Sequence, residues 1–229
     1  MNPPLDSVPL YPPEAVLPES DSEILRPRGL DDLRGRHAGS LYYPATAAVI
    51  FAGIPGAGKS TALRRLFDAG PEAEHASPGP DESLVFDSIQ ARNSWRPRLS
   101  WLPYPLWRPV VHMVHFHRIW IALRDHRGPV VIHDCGTVDF TRGMLARWAL
   151  RQGRELHMVL LDVPAESARA GQFARGRRVG RASFHWHVWR WRRLVRRVED
   201  GTGLQPAPAS VVLLDRRAAD RLREVRFAA

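Results

Sequence analysis

The sequence predicts an α/β fold, a parallel sheet with helices on both faces. Three observations carry this. Short apolar runs alternate along the chain with longer helical segments. The first run, residues 47–52 (AAVIFA), is apolar throughout and ends at a glycine, as a strand buried on both faces does. Between the runs there is no two-residue turn signal of a β-hairpin.

Taken in order, residues 1–40 hold many prolines and few apolar residues in any period. They read as a loosely packed or disordered arm, with a short ordered piece around 24–33. The remaining 41–229 read as one domain, long enough for a sizeable core. After the strand at 47–52 a helix is expected over 59–68, stopped near Gly70 and Pro71. Residues 70–81 read as a loop, 84–86 as a second strand ending at Asp87, and 88–105, with three prolines, as irregular chain. A long helix is expected over 106–126, a third strand over 129–133 and a helix over 140–152. A fourth strand follows at 156–161, then two helices at 165–176 and 183–198 around a Gly/Arg-rich turn. A fifth strand at 211–214 and a closing helix over 216–225 complete the chain.

Gly53, Ile54, Pro55, Gly56, Ala57, Gly58, Lys59 and Ser60 fit G-x-x-x-x-G-K-[ST] at every fixed position, between a strand and a helix. Glycines let the backbone wrap so that successive N–H groups point at phosphate oxygens, and the helix N-terminus adds partial positive charge. Lys59 is expected to reach the β and γ phosphates, Ser60 to bind Mg²⁺, and Thr61 to lie near the α phosphate. The chain is therefore read as binding a nucleoside triphosphate in a three-layer P-loop NTPase fold. An intracellular, cytoplasmic location fits that ligand. No run approaches the length of a membrane helix, and the start of the chain lacks the pattern of a secretory signal.

Of 33 basic residues, Lys59 is the one lysine, and the formal net charge is +9. A coding bias explains the arginines, and the phosphate loop is where a compact ammonium cannot be exchanged for a planar guanidinium. Ten arginines and no acidic residue lie between Arg169 and Arg197, so one element should meet something anionic. Arg175, Arg177, Arg178 and Arg181 sit between two helices, the placement of a lid over phosphates within about 165–182. Arg177 and Arg178 are candidates to stabilise transition-state charge, and Arg181 to contact substrate. A solvated basic surface is the plainer alternative.

Four predicted strands end in aspartate, at Asp87, Asp134, Asp162 and Asp215. In open α/β sheets ligands bind at these carboxyl ends, although Asp is also a common turn and cap residue. Asp134, after VVIH, is placed to bind Mg²⁺. Asp87 could accept the proton of an attacking hydroxyl, with Arg92 holding a polar or anionic acceptor. Asp162 reads as a turn or cap residue. Trp186, Trp189 and Trp191 alternate with arginines, which admits nucleic-acid stacking. The stripe Phe184, Val188, Trp191, Val195, Val198 is equally the spacing of a core-facing helix. His112, His115 and Arg118 share a helix face without the further ligands a metal site needs, and Cys135 reads as packing.

The GIPGAGKST loop, the Asp after the second strand, HDCGT after the third, and the Arg-rich lid before a Trp/Arg helix resemble small P-loop kinases of the zeta-toxin and polynucleotide-kinase-like branch. They also look like bacterial proteins labelled AAA-domain or ATP-binding proteins, without the arginine-finger pattern of ring-forming AAA+ machines. The resemblance implies five parallel strands in the order 2-3-1-4-5, ATP as donor with Mg²⁺, and phosphoryl transfer to a hydroxyl acceptor. By position Asp87 would be the base, the 175–181 arginines the lid, and Asp134 and Thr137 the Asp and Thr after the third strand. Arg92 lies farther from Asp87 than the family's Asp-x-x-Arg. An ATPase switch and a nucleic-acid 5′-hydroxyl kinase or binder remain as alternatives.

Overall fold

The computed structural model describes residues 24–36, 38–173, 180–201 and 203–228. Its strands are β1 (Ile24–Leu25), β2 (Gly29–Asp32), β3 (Ser40–Pro44), β4 (Ala48–Ala52), β5 (Ser77–Pro78), β6 (Leu84–Phe86), β7 (Val130–His133), β8 (Leu156–Leu161), β9 (Ser210–Leu214) and β10 (Glu224–Ala228). Its α-helices are α1 (Lys59–Phe67), α2 (Ser88–Leu99), α3 (Tyr104–Asp125), α4 (Asp139–Arg151), α5 (Ala165–Phe173), α6 (Arg181–Glu199) and α7 (Arg216–Arg221).

The main sheet has seven strands in the order β2-β9-β8-β4-β7-β6-β5. All pairings are parallel except β5 with β6. The expected five-stranded, all-parallel sheet is thus corrected: β2 and β5 are added at the two edges, and β5 makes the sheet mixed. Neither edge strand was legible, because a two- or four-residue strand carries almost no periodicity. β4 lies at the centre between β7 and β8. β4, β8 and β9 are buried along their whole length, as strands covered on both faces are, and their two polar residues, His157 and Ser210, meet each other at 2.8 Å. Phe51 on β4 is fully buried and meets Phe67 of α1 edge-on at 5.6 Å between ring centroids. Phe51→Ala is expected to cost about 3–5 kcal/mol through the cavity it leaves, read as a fall in the urea midpoint at constant m-value.

Residues 1–40 read as a loose arm with a short ordered piece around 24–33; that piece carries β1 and β2, and Ser40 begins β3. β1 and β10 flank β3 in a second, three-stranded parallel sheet. Residues 216–225 form not one helix but α7 followed by β10, whose Val225 and Phe227 are buried while Arg226 is exposed. That period of two is the signature of a strand with one covered face. Asp81 holds β10 in place, accepting from the Phe227 N–H at 2.8 Å and from two Arg226 nitrogens at 2.9 and 3.0 Å. Residues 88–99 are helical despite Pro97, because Asp87 and Gln90 form a reciprocal capping box at the start of α2. The apolar residues of α2 follow no helical period, which hid it from the pattern.

Candidate functional site

The phosphate loop leaves the end of β4 and opens α1. Gly56 and Gly58 have φ of +93° and +108°, backbone that glycine adopts without strain. A Cβ at Gly56 would stand 2.0 Å from the Ala168 carbonyl oxygen, so α5 packs directly onto the loop. Gln172, also on α5, donates to the Pro55 carbonyl at 2.9 Å. Lys59 is buried, with Nζ 2.6 Å from the Gly53 carbonyl and 3.2 Å from that of Ile54. Ser60 is half-buried in the first turn of α1 and Thr61 is exposed beside it. Arg216, which the sequence did not single out, donates to the Ala57 carbonyl at 3.2 Å and brings a second cation to the loop. The cradle, the helix N-terminus and these two cations together suit a polyphosphate.

The other strand-end carboxylates separate into different roles. Asp162 does not cap a helix; it accepts from Trp191 Nε1 at 2.9 Å and pairs with Arg34 at 2.9 Å. Arg34 also reaches Asp32 and Glu199, at 2.5 and 2.7 Å, tying the end of β2 to the end of α6. Asp215 caps α7 through the Ala218 N–H at 2.7 Å. Asp134 follows β7 and accepts from the Gly136 N–H at 3.1 Å through one oxygen. Ser60 and Asp134 are hard oxygen donors, and such a set fits Mg²⁺ completed by phosphate and water. Among the described residues there is no group of three or more His, Cys, Asp or Glu able to hold a metal by themselves. A nucleotide-bound Mg²⁺ needs none.

Asp87 occupies a junction. Its Oδ1 accepts from the Ile89 N–H at 3.0 Å at the start of α2, and its Oδ2 lies 2.5 Å from His133 Nδ1. Burial pushes the carboxyl up, but the adjacent His133 and the Ile89 N–H outweigh it and hold the pKa at about 2. Because the folded value lies below the ordinary one, this contributes stability above pH about 4 that is lost as pH falls towards 2, roughly 2 kcal/mol. Urea titrations of wild type and Asp87→Asn at pH 5 and pH 2.5 should show the variant losing less by about that amount.

Ser60, Arg64, Asp87, Arg92, Tyr104 and His133 line one cleft of about 440 Å³. Arg92 lies over the Tyr104 ring at 4.6 Å, so its guanidinium is held at the wall by cation–π contact. Behind the cleft His115 is buried, and burial pushes its pKa down to about 4, leaving it neutral. Arg181 is exposed at the first turn of α6. Arg175, Gly176, Arg177 and Arg178, the expected centre of the lid, lie outside the described residues. Thr137 is buried, with Oγ1 2.9 Å from His187 Nδ1. Burial and Asp134 push the Cys135 thiol up, so it is not a ready thiolate.

On α6, Phe184, Trp191, Val195 and Val198 are buried in the main core with Val188 packed against it. Trp186 and Trp189 are exposed, and Arg190 lies 4.9 Å over the Trp186 ring. Among the described residues no helix is long and apolar enough to cross a membrane.

No family model matches the chain, and no curated protein does. Solved structures do. One is from the PezAT chromosomal toxin–antitoxin system of Streptococcus pneumoniae, at 12% identity and a TM-score of 0.54, covering 79% of this chain and 71% of that one. The two share an α/β fold with a mainly parallel sheet. A Chloroflexus aurantiacus protein provisionally named a kinase matches at 14% identity and a TM-score of 0.47, over 75% of this chain and 86% of that one. APE1195 matches at 18% identity and a TM-score of 0.41, over 76% and 87%. At 12% identity the likeness to the PezAT structure speaks for the fold alone. This α/β fold places Lys59, Asp87 and Asp134 at the carboxyl end of one sheet, where ligands of open α/β folds bind.

Proposed function

We propose that this protein is an ATP-dependent, Mg²⁺-requiring kinase that transfers the γ-phosphate to a hydroxyl acceptor. One observation carries the reading: Ser60 of the phosphate loop shares a single cleft of about 440 Å³ with Asp87, His133, Arg92 and Tyr104. Donor phosphate and acceptor would then meet without crossing solvent. Lys59 and Arg216 bear phosphate charge, Ser60 and Asp134 hold Mg²⁺, and Mg²⁺ when bound neutralises charge between the phosphates. Arg92 and Tyr104 form the acceptor wall, offering a cation and an aromatic face to a polar, partly flat molecule. Arg177, Arg178 and Arg181 are assigned to closure over the phosphates, which excludes water from the transfer. A cytoplasmic location follows from the need for ATP.

The test is transfer of ³²P from γ-labelled ATP, with Mg²⁺, into nucleosides, sugars and nucleotide sugars, small antibiotics and 5′-hydroxyl oligonucleotides. The exposed Trp186 and Trp189 beside Arg190 are the reason for including oligonucleotides. A labelled acceptor that disappears in Asp87→Asn supports the kinase. Label found only as free phosphate, at a rate indifferent to Asp87→Asn, replaces it with an ATPase switch.

A further inference from the structure

We propose that His133 is the residue that takes the proton from the acceptor hydroxyl, with Asp87 holding its ring in the working tautomer. This rests on the kinase reading above and reassigns the role that chain position alone gives to Asp87.

The juxtaposition is made by strand register. Phe86 of β6 pairs with Ile132 of β7, so the next residues of the two parallel strands, Asp87 and His133, come out side by side. The 2.5 Å contact joins Asp87 Oδ2 to His133 Nδ1. An ionised carboxylate only accepts hydrogen bonds, so the proton in this contact sits on Nδ1. A neutral imidazole protonated at Nδ1 presents a lone pair at Nε2. Among the described residues Nε2 has no hydrogen-bond partner, and the ring lines the cleft that contains Ser60. A carboxylate orienting a histidine so that its far nitrogen serves as base is the arrangement by which hydrolases activate a serine hydroxyl.

Asp87 is badly placed to be the base itself. Oδ1 is committed to the Ile89 N–H at the start of α2, with the Ser88 hydroxyl at 3.5 Å, and Oδ2 is committed to His133. Turning the carboxyl towards an acceptor would break the capping box of α2. Arg64 on α1 and Arg92 on α2 line the same cleft as the pair, neutral His115 on α3 lies near both Asp87 and His133, and Asp134 follows His133 in the chain.

The step balances simply. The acceptor O–H bond breaks and its proton passes to His133 Nε2. The oxygen forms a bond to the γ-phosphorus, whose bond to the β–γ bridging oxygen breaks, and that electron pair leaves on ADP. The imidazolium is held by Asp87 and returns its proton to solvent after products depart.

The deciding variant is His133→Asn. Its side-chain amide keeps an N–H donor near the Nδ1 position, so it preserves the contact with Asp87, but it has no basic atom at the Nε2 position. Transfer is measured from ATP with Mg²⁺ into the same acceptor panel, beside Asp87→Asn, with ATP affinity and thermal midpoint as controls for folding. The expected result is a fall in kcat of about 10²–10⁴-fold with KM and ATP affinity little changed. In His133→Ala, added imidazole should restore part of the rate. Should His133→Asn keep the wild-type rate within about threefold while Asp87→Asn loses it, the base is Asp87 and this inference is overturned, with the kinase reading intact. If wild type labels no acceptor at all, the kinase reading falls and takes this inference with it. A measurement on unaltered protein guards against misfolded variants. Long-range ¹H–¹⁵N correlations should find His133 protonated at Nδ1, and a ring protonated only at Nε2 overturns the assignment.

Discussion

Lys59→Ala is expected to lower phosphoryl transfer by about 10²–10³-fold, the loss typical when one preorganised charge donor is removed from a transition state. Lys59 stands at the first position of α1, buried against the loop it serves. In the structure its ammonium is held by the Gly53 and Ile54 carbonyls, at 2.6 and 3.2 Å. Those are neutral acceptors, and exchanging them for phosphate oxygens converts modest hydrogen bonds into charge-assisted ones. Alanine removes the charge while preserving helix propensity, so folding should be affected little. Lys59→Arg should fail nearly as badly, because a planar fork does not fit a space built for a point charge. The measurement is γ-phosphate transfer at saturating ATP, alongside affinity for a fluorescent ATP analogue. Transfer within threefold of wild type in the alanine variant would remove Lys59 from the chemistry.

The second large effect is expected at Gly56→Ala. Gly56 has φ of +93°, which strains any L side chain by about 1–3 kcal/mol. In addition its Cβ would meet the Ala168 carbonyl oxygen at 2.0 Å, and this obstacle is backbone, not the end of a flexible side chain. Either the loop loses its curvature or α5 is pushed away, and the amides no longer converge on a phosphate. ATP affinity should fall at least about 100-fold, equivalent to about 2.7 kcal/mol. Gly35→Ala is the matched control. It too has positive φ, +71°, but nothing lies within 4 Å of its added Cβ. It should carry only the strain, lowering the thermal midpoint without touching ATP affinity. Equal loss of ATP affinity in both variants would show that strain alone, not the packing of α5, shapes the loop.

Features built from neighbouring residues were legible in the sequence. The phosphate loop is one contiguous stretch between β4 and α1, and its glycines, lysine and serine carry their geometry with them. The apolar β4 and the largely apolar β8 and β9 announced themselves by composition. α2 and β10 did not. Pro97 spoke against the helix, and the Asp87–Gln90 capping box that starts it went unread. The alternation Val225-Arg226-Phe227 was short enough to pass for the end of a helix. His133 reads in the sequence only as the end of a strand, because a lone histidine beside an aspartate carries no signal until its partner is known.

The sequence by itself determined that this chain builds a phosphate cradle at the end of a buried strand. One reason is that backbone curvature and helix start are set within a dozen residues. The other is that the single lysine could stand nowhere else. Only the tertiary structure decided what faces that cradle. Asp87 and His133 lie 46 residues apart, and Arg34 and Asp162 lie 128 apart. They meet because parallel strands pair in a register fixed by the burial of both faces of the sheet, and a register between distant segments is written in no local pattern.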